Sequence, residues 1–160
     1  MDLGLKGKNA IVLGGTRGIG RAVAATLAGE GANVAVCARN ADQVAATVAE
    51  LKASGINATG SPVDVTDGAA LKSWIEAAAK ELGGIDLLFS NAGAMAQGGD
   101  AASWEQNFRL DVLGAVHAFE AARPFLVSET MTRRASSAAG RRRTMPFSSS
   151  LGMIRDRLAG

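Results

Sequence analysis

The chain has 160 residues, 48% of them hydrophobic and 20% charged, with a formal net charge of +2. That length suits one globular domain with a sizeable core, and no run approaches the ~18 apolar residues of a membrane span. One cysteine, Cys37, excludes an internal disulfide, and one Cys beside one His offers no metal site of recognised ligand spacing.

Taken in chain order, short β-branched runs alternate with longer Ala-rich helical patterns. NAIVLG (9–14) reads as a strand ending in glycines, and GIGRAVAATLAGEG (18–31) as a helix stopped by Gly31. NVAVCA (33–38) is the second strand. ADQVAATVAELKASG (41–55) is a helix in which Val44, Val48 and Leu51 repeat at helical spacing, and INATGSPV (56–63) is a weaker strand. A helix follows over 67–84, with Leu71, Trp74, Ile75 and Ala78 on one face. IDLLFS (85–90) is the fourth strand, and 103–126 forms a long helix. Nearly continuous apolar strands alternating with helices predict an α/β fold whose parallel sheet is covered on both faces. Right-handed crossovers make it the N-terminal half of a Rossmann-like doubly wound sheet, in strand order 3-2-1-4.

The N-terminal stretch has no basic start, long apolar core or small-residue cleavage site, so a secretory signal is not expected, and the single cysteine makes a reducing cytoplasm the expected location. Charge divides unevenly. Residues 1–127 carry ten Lys/Arg against thirteen Asp/Glu, whereas 128–160 carry seven Arg, no Lys and two acids. A boundary is therefore placed near Val127, separating a nucleotide-binding domain (1–127) from a basic Arg/Ser-rich tail (128–160) expected to lack fixed structure. SSSLGMIRDRLAG within that tail is compatible with a short helix.

GGTRGIG (14–20) follows the first strand directly and opens the first helix, the placement a dinucleotide pyrophosphate requires. Gly14 allows the tight turn, Gly18 lets the backbone approach phosphates, and Gly20 lets the helix pack closely. No Gly-Lys-Ser/Thr follows, so a P-loop is excluded. The second strand ends in Ala38-Arg39 where an NAD-binding fold usually places an acid. No carboxylate repels a 2′-phosphate there, and a guanidinium is available to grip it, so NADP is expected in preference to NAD.

These residues resemble the short-chain dehydrogenase/reductase family. LGGTRGIG is similar to its T-G-x-x-x-G-I-G loop, with Leu13 in place of Thr. VDVTD (63–67) resembles the segment whose Asp, here Asp64, contacts adenine. SNAG (90–93) resembles N-N-A-G with Ser90 replacing the first Asn, and WEQNFRLDVLG (104–114) resembles the family's helix pattern. The resemblance implies cofactor contacts from Gly14, Thr16, Arg17, Gly18, Ile19, Gly20, Arg39, Asp64, Val65, Asn91, Ala92 and Gly93. It also implies hydride transfer on a nicotinamide dinucleotide. The glycine loop and CARN look like bacterial 3-oxoacyl-thioester reductases, so a small carbonyl or acyl-thioester substrate and a homo-oligomer are implied. No membrane partner is expected.

The family's catalytic unit is a Ser, a Tyr and a Lys four residues after the Tyr, with an Asn on the long helix. This sequence contains no tyrosine, and no Lys after Lys80. Asp111 stands at the Asn position; an ionised carboxylate accepts hydrogen bonds but donates none. A helix residue facing solvent or capping a neighbour is the plain alternative for Asp111. His117 reads as structural, and Ser136 and Ser137 have no nearby base.

Two functional readings stay open: an NADP-dependent reductase of a 3-oxo or similar carbonyl, and a nucleotide-binding fragment without turnover. The tail decides between them. MTRRASSAAG (131–140), read one base out of register with GC-rich codons, permits Asp-Ala-Ala-Gly-Val-Val-Ser-Ser, which looks like a strand ending in serines. A frameshift just after Val127, natural or from sequence error, accounts for the arginine bias. The rival is a nucleic-acid-binding arm, against which stands the lack of interleaved aromatics beyond Phe147.

Overall fold

A computed structural model describes residues 3–93 and 98–126. The expectations for 127–160, including the boundary near Val127, the frameshifted stretch and the short helix, lie outside the described residues.

Strands β1 (Asn9–Leu13), β2 (Asn33–Ala38), β3 (Ala58–Pro62) and β4 (Leu87–Ser90) pair in parallel, in the order β3-β2-β1-β4. Asn9 stands opposite Asn33, Val34 opposite Ala58, and Ala10 opposite Leu87. The strand order is the one the alternation of elements predicts.

Burial on two faces explains why the central strands carry almost no polar residue. Side chains alternate across a strand, so Ile11, Leu13, Ala35 and Cys37 fall on one face. There they join Leu71 and Ile75 of α3 (Gly68–Leu82) and Ala118 and Ala122 of α5 (Gly114–Ala122). Ala10, Val12, Val34 and Val36 fall on the other face, against Ala24 and Leu27 of α1 (Gly18–Gly29) and Leu51 of α2 (Ala41–Ala53). Ile11, Leu13, Leu71 and Ile75 are wholly buried, and each such side chain contributes roughly 1.5–3 kcal/mol of hydrophobic stabilisation.

Local polar chemistry sets the helix ends. Asn40 Oδ1 accepts from Gln43 N (2.9 Å) at the start of α2, and Asp67 Oδ1 accepts from Ala69 N and Ala70 N (3.1 and 3.0 Å) at the start of α3. Gly83, at φ +86°, ends α3 in the left-handed conformation that a side chain disfavours. At the amino end of the sheet Asn33 Nδ2 donates to Asn9 Oδ1 (2.9 Å), and Asn57 N donates to Asn33 Oδ1 (3.1 Å).

The structure trims several expected boundaries and revises two elements. The third strand shortens to Ala58–Pro62. The fourth begins at Leu87 rather than at 85, because Ile85 bridges Leu126 and its N–H donates to Phe125 O (3.0 Å). The long helix expected over 103–126 is not continuous. It starts at Ala101, where Asp100 caps Ser103 N (3.0 Å), as α4 (Ala101–Asn107). It then widens into a π-helical segment, Phe108–Leu113, resumes as α5, and ends in a 3-10 turn, Arg123–Phe125. Hydrophobic spacing does not distinguish a π segment from an α-helix at this length, which is why the sequence shows one element.

Candidate functional site

The carboxyl ends of β1, β2 and β4 and the segment after β3 converge on one cleft of about 330 Å³. Open parallel sheets place ligands at this edge, beside the point where the strand order reverses. The order β3-β2-β1-β4 reverses at β1, and the glycine loop leaves β1 there.

Nine of the sequence-predicted residues line the cleft: Gly14, Thr16, Arg17, Arg39, Asp64, Val65, Asn91, Ala92 and Gly93. Gly18, Ile19 and Gly20 do not, and each for a different reason. A Cβ on Gly18 would meet nothing within 4 Å, and its φ is +51°, so bare backbone faces open space. Ile19 is 73% exposed. Gly20 is buried behind the loop, where a Cβ would overlap the Gly14 carbonyl oxygen and come 2.7 Å from Asn91 Nδ2. Gly14, at φ +68°, passes so close to Ala92 that a Cβ would lie 2.9 Å from its Cα. The glycines thus let the loop, the first turn of α1 and the end of β4 share space that side chains would fill.

Backbone bonds fix the loop to its neighbours. Gly14 N and Gly15 N both donate to Cys37 O (2.9 and 3.3 Å), and Asn91 N donates to Leu13 O (3.2 Å). The Cys37 thiol is buried beneath the loop, and burial pushes its pKa up to about 12, so it is a packing group rather than a nucleophile.

Charge in the cleft is arranged for an anion. No side chain caps α1, and no acid stands in its first turn. The first N–H groups of a helix have no partner within it and carry the positive end of the dipole. Arg17 and Arg39 line the same cleft. Asp64, the acid among the described lining residues, accepts from Thr66 N (2.9 Å) and Thr66 Oγ1 (2.7 Å). Those two bonds, opposed by partial desolvation and assisted by the nearby Arg39, hold its carboxyl below the usual carboxylate range.

Asp111 lies in the π-helical segment, with one carboxylate oxygen 3.6 Å from where a Cβ on Gly93 would stand. The segment also brings Leu110 into the cleft. His117 packs on Gly68, outside it.

Sequence reasoning missed Ala38, Asn40, Gln43, Val63 and Leu110 as lining residues. Asn40 and Gln43 carried a readable signal, the N-cap and third-position spacing of a helix start placed just after the second strand. Among the described residues, no cluster of three or more His, Cys, Asp or Glu could hold a metal ion, and no helix is long and apolar enough to cross a membrane.

Comparison with known proteins places this geometry. The profile of the short chain dehydrogenase family matches residues 8–147, a span that runs past Val127. Isoepoxydon dehydrogenase patN of Penicillium expansum is 38% identical over 131 residues, covering 79% of this chain and 50% of that protein. A short chain dehydrogenase from Burkholderia cenocepacia J2315, solved in complex with NADP, superposes with a TM-score of 0.67 at 32% identity, over 76% of this chain and 52% of that one. A short chain dehydrogenase/reductase from Burkholderia phymatum, solved in complex with NAD, gives a TM-score of 0.72 at 31% identity, over 78% and 46%. The chain spans about half the length of such relatives. With the family profile matching most of its residues, and its glycine loop, parallel sheet and cleft arranged as described, the chain belongs to the short-chain dehydrogenase family of oxidoreductases.

Proposed function

We propose that the chain binds a nicotinamide dinucleotide in the cleft at the carboxyl edge of its sheet, prefers NADP to NAD, and by itself performs no turnover. One observation carries this reading: the uncapped start of α1, Arg17, Arg39 and the hydrogen-bonded Asp64 meet around a single cleft. The residues fit the group. Bare backbone at Gly18 admits a pyrophosphate, the α1 N–H groups complement its charge, and Asp64 and Val65 border the adenine side. Arg39 follows β2 with no acid beside it, so a 2′-phosphate meets a cation instead of a carboxylate.

When bound, the dinucleotide supplies a hydride to a carbonyl carbon or takes one from an alcohol. The chain's own residues bind and orient it; the proton is a separate requirement. No tyrosine occurs in the sequence, so the proton donor of the family pattern is missing. Asp111 holds the position the family gives to Asn, and a carboxyl group lacks the N–H donors of that amide. A second reading rests on the family match. In a longer protein of this family, the same half-sheet serves a reductase of a 3-oxo or similar small carbonyl.

The test is a titration of the 160-residue protein with NADPH and with NADH, followed by fluorescence, with ketone consumption monitored in the same samples. Tighter binding of NADPH without consumption is the expected result. Equal or tighter binding of NADH overturns the preference. Consumption of ketone overturns the inactive reading and turns attention to Asp111 as a donor.

A further inference from the structure

Among the described residues, Gln43 lines the cleft and its side chain reaches across to the glycine loop. It occupies the third position of α2, and its N–H donates to Asn40 Oδ1 (2.9 Å). In a reciprocal cap, a glutamine at this position turns its side chain back to the N-cap backbone. Here Gln43 Oε1 instead accepts from Thr16 Oγ1 at 3.4 Å, across to the glycine loop. Thr16 is itself buried to 7% exposure, and Gln43 O accepts from Oγ1 of the buried Thr47 (2.8 Å). The backbone end of the residue is firmly bonded, and its side-chain end makes a longer contact to the loop.

An amide whose oxygen faces Thr16 turns its two N–H donors to the remaining side, and Gln43 lines the cleft together with Arg17, Arg39 and Asn40. A hydroxyl can also accept from an amide nitrogen, which would set a carbonyl oxygen toward the cleft. An anion there disfavours that orientation, because it opposes a lone pair to a negative charge. Resting on the dinucleotide site proposed above, we infer that Gln43 is a specificity-determining residue. Its amide donates to the adenosine 2′-phosphate, and its Thr16 contact holds the glycine loop in step with that end of the cofactor. A phosphate with three acceptor oxygens has room for a directional neutral donor beside two guanidinium groups.

Two substitutions separate reading the phosphate from merely bracing the loop. Gln43→Glu keeps an oxygen for Thr16 but replaces the donors with negative charge. Gln43→Leu removes both contacts at similar size. NADPH and NADH affinities are measured for the wild-type chain and both variants, with thermal melts to verify folding. Gln43→Glu is expected to weaken NADPH by about tenfold or more and to change NADH less than about twofold, since NADH has no 2′-phosphate. Gln43→Leu is expected to weaken NADPH several-fold, with a smaller effect on NADH. Parallel losses for both cofactors, or a Gln43→Glu chain with unchanged NADPH affinity, overturn the assignment while leaving the site itself standing. A wild-type chain that binds neither dinucleotide overturns the site and this assignment together.

Discussion

Alanine at Gly20 and at Gly18 should fail in opposite ways, and the contrast tests whether the glycine loop works as the structure implies. At Gly20 a Cβ would overlap the Gly14 carbonyl oxygen, stand 3.0 Å from the carbonyl carbon and press on Asn91 Nδ2 at 2.7 Å. The first two are backbone, so relief to a normal contact of ~3.5 Å requires the loop and α1 to part by about an ångström. Overpacking of this kind costs about 1–3 kcal/mol, which at roughly 2–4 °C per kcal/mol corresponds to a fall in Tm of about 2–12 °C. At Gly18 a Cβ meets nothing within 4 Å. The cost is conformational, on the order of 1 kcal/mol for a non-glycine residue at positive φ. The new methyl, however, occupies the space through which phosphates must reach the α1 N–H groups. Thermal melts and NADPH titrations of the two variants decide the matter. The expected pattern is a large Tm loss for Gly20→Ala, and a small Tm loss with a binding loss of tenfold or more for Gly18→Ala. If Gly20→Ala melts no lower than Gly18→Ala, the close-packing argument is wrong. If Gly18→Ala binds NADPH normally, phosphates do not approach the backbone there.

Arg39→Ala should lower NADPH affinity by about 10- to 100-fold, the worth of a charge-assisted hydrogen bond, and leave NADH nearly unchanged; equal effects would refute the 2′-phosphate assignment. Cys37 links stability to alkaline pH. Its pKa rises from 9.0 to about 12 in the fold, so between those values the unfolded chain gives up a proton that the folded chain keeps. Stability therefore falls as pH rises through 9, by up to about 1.4 kcal/mol per pH unit, and Cys37→Ala should flatten that slope in urea denaturation; parallel slopes would refute it. Asp67→Ala removes the acceptor of two α3 N–H bonds and should cost about 1 kcal/mol in the same assay, whereas no measurable loss would mean that water replaces the cap.

The sheet was legible because its determinants are local. Ala10–Leu13 and Val34–Cys37 are apolar at every position, which only a strand covered on both faces accommodates, and each is followed by a helix with a recognisable start or stop. The glycine loop was legible for a similar reason: its position between strand and helix is a matter of neighbours in sequence. The same holds for Arg39, Asp64 and Asn91–Gly93, which follow strands that all end at one edge.

Only the tertiary structure decided how those pieces share space. That Gly20 backs onto Gly14 and Asn91, that Thr16 bonds Gln43 across 27 residues, and that Leu110 reaches the cleft are contacts between distant segments, invisible to any local pattern. The π-helical widening at Phe108–Leu113 likewise belongs to the packed state, since backbone bonds shift there while the side-chain spacing stays helical. Composition and periodicity determined that a parallel half-sheet covered on both faces would form, with its loops leaving one edge. The register of β4, with Leu87 opposite Ala10 of β1, and the separate bridge of Ile85 to Leu126 had to wait for the fold, because pairing depends on which segment lies alongside.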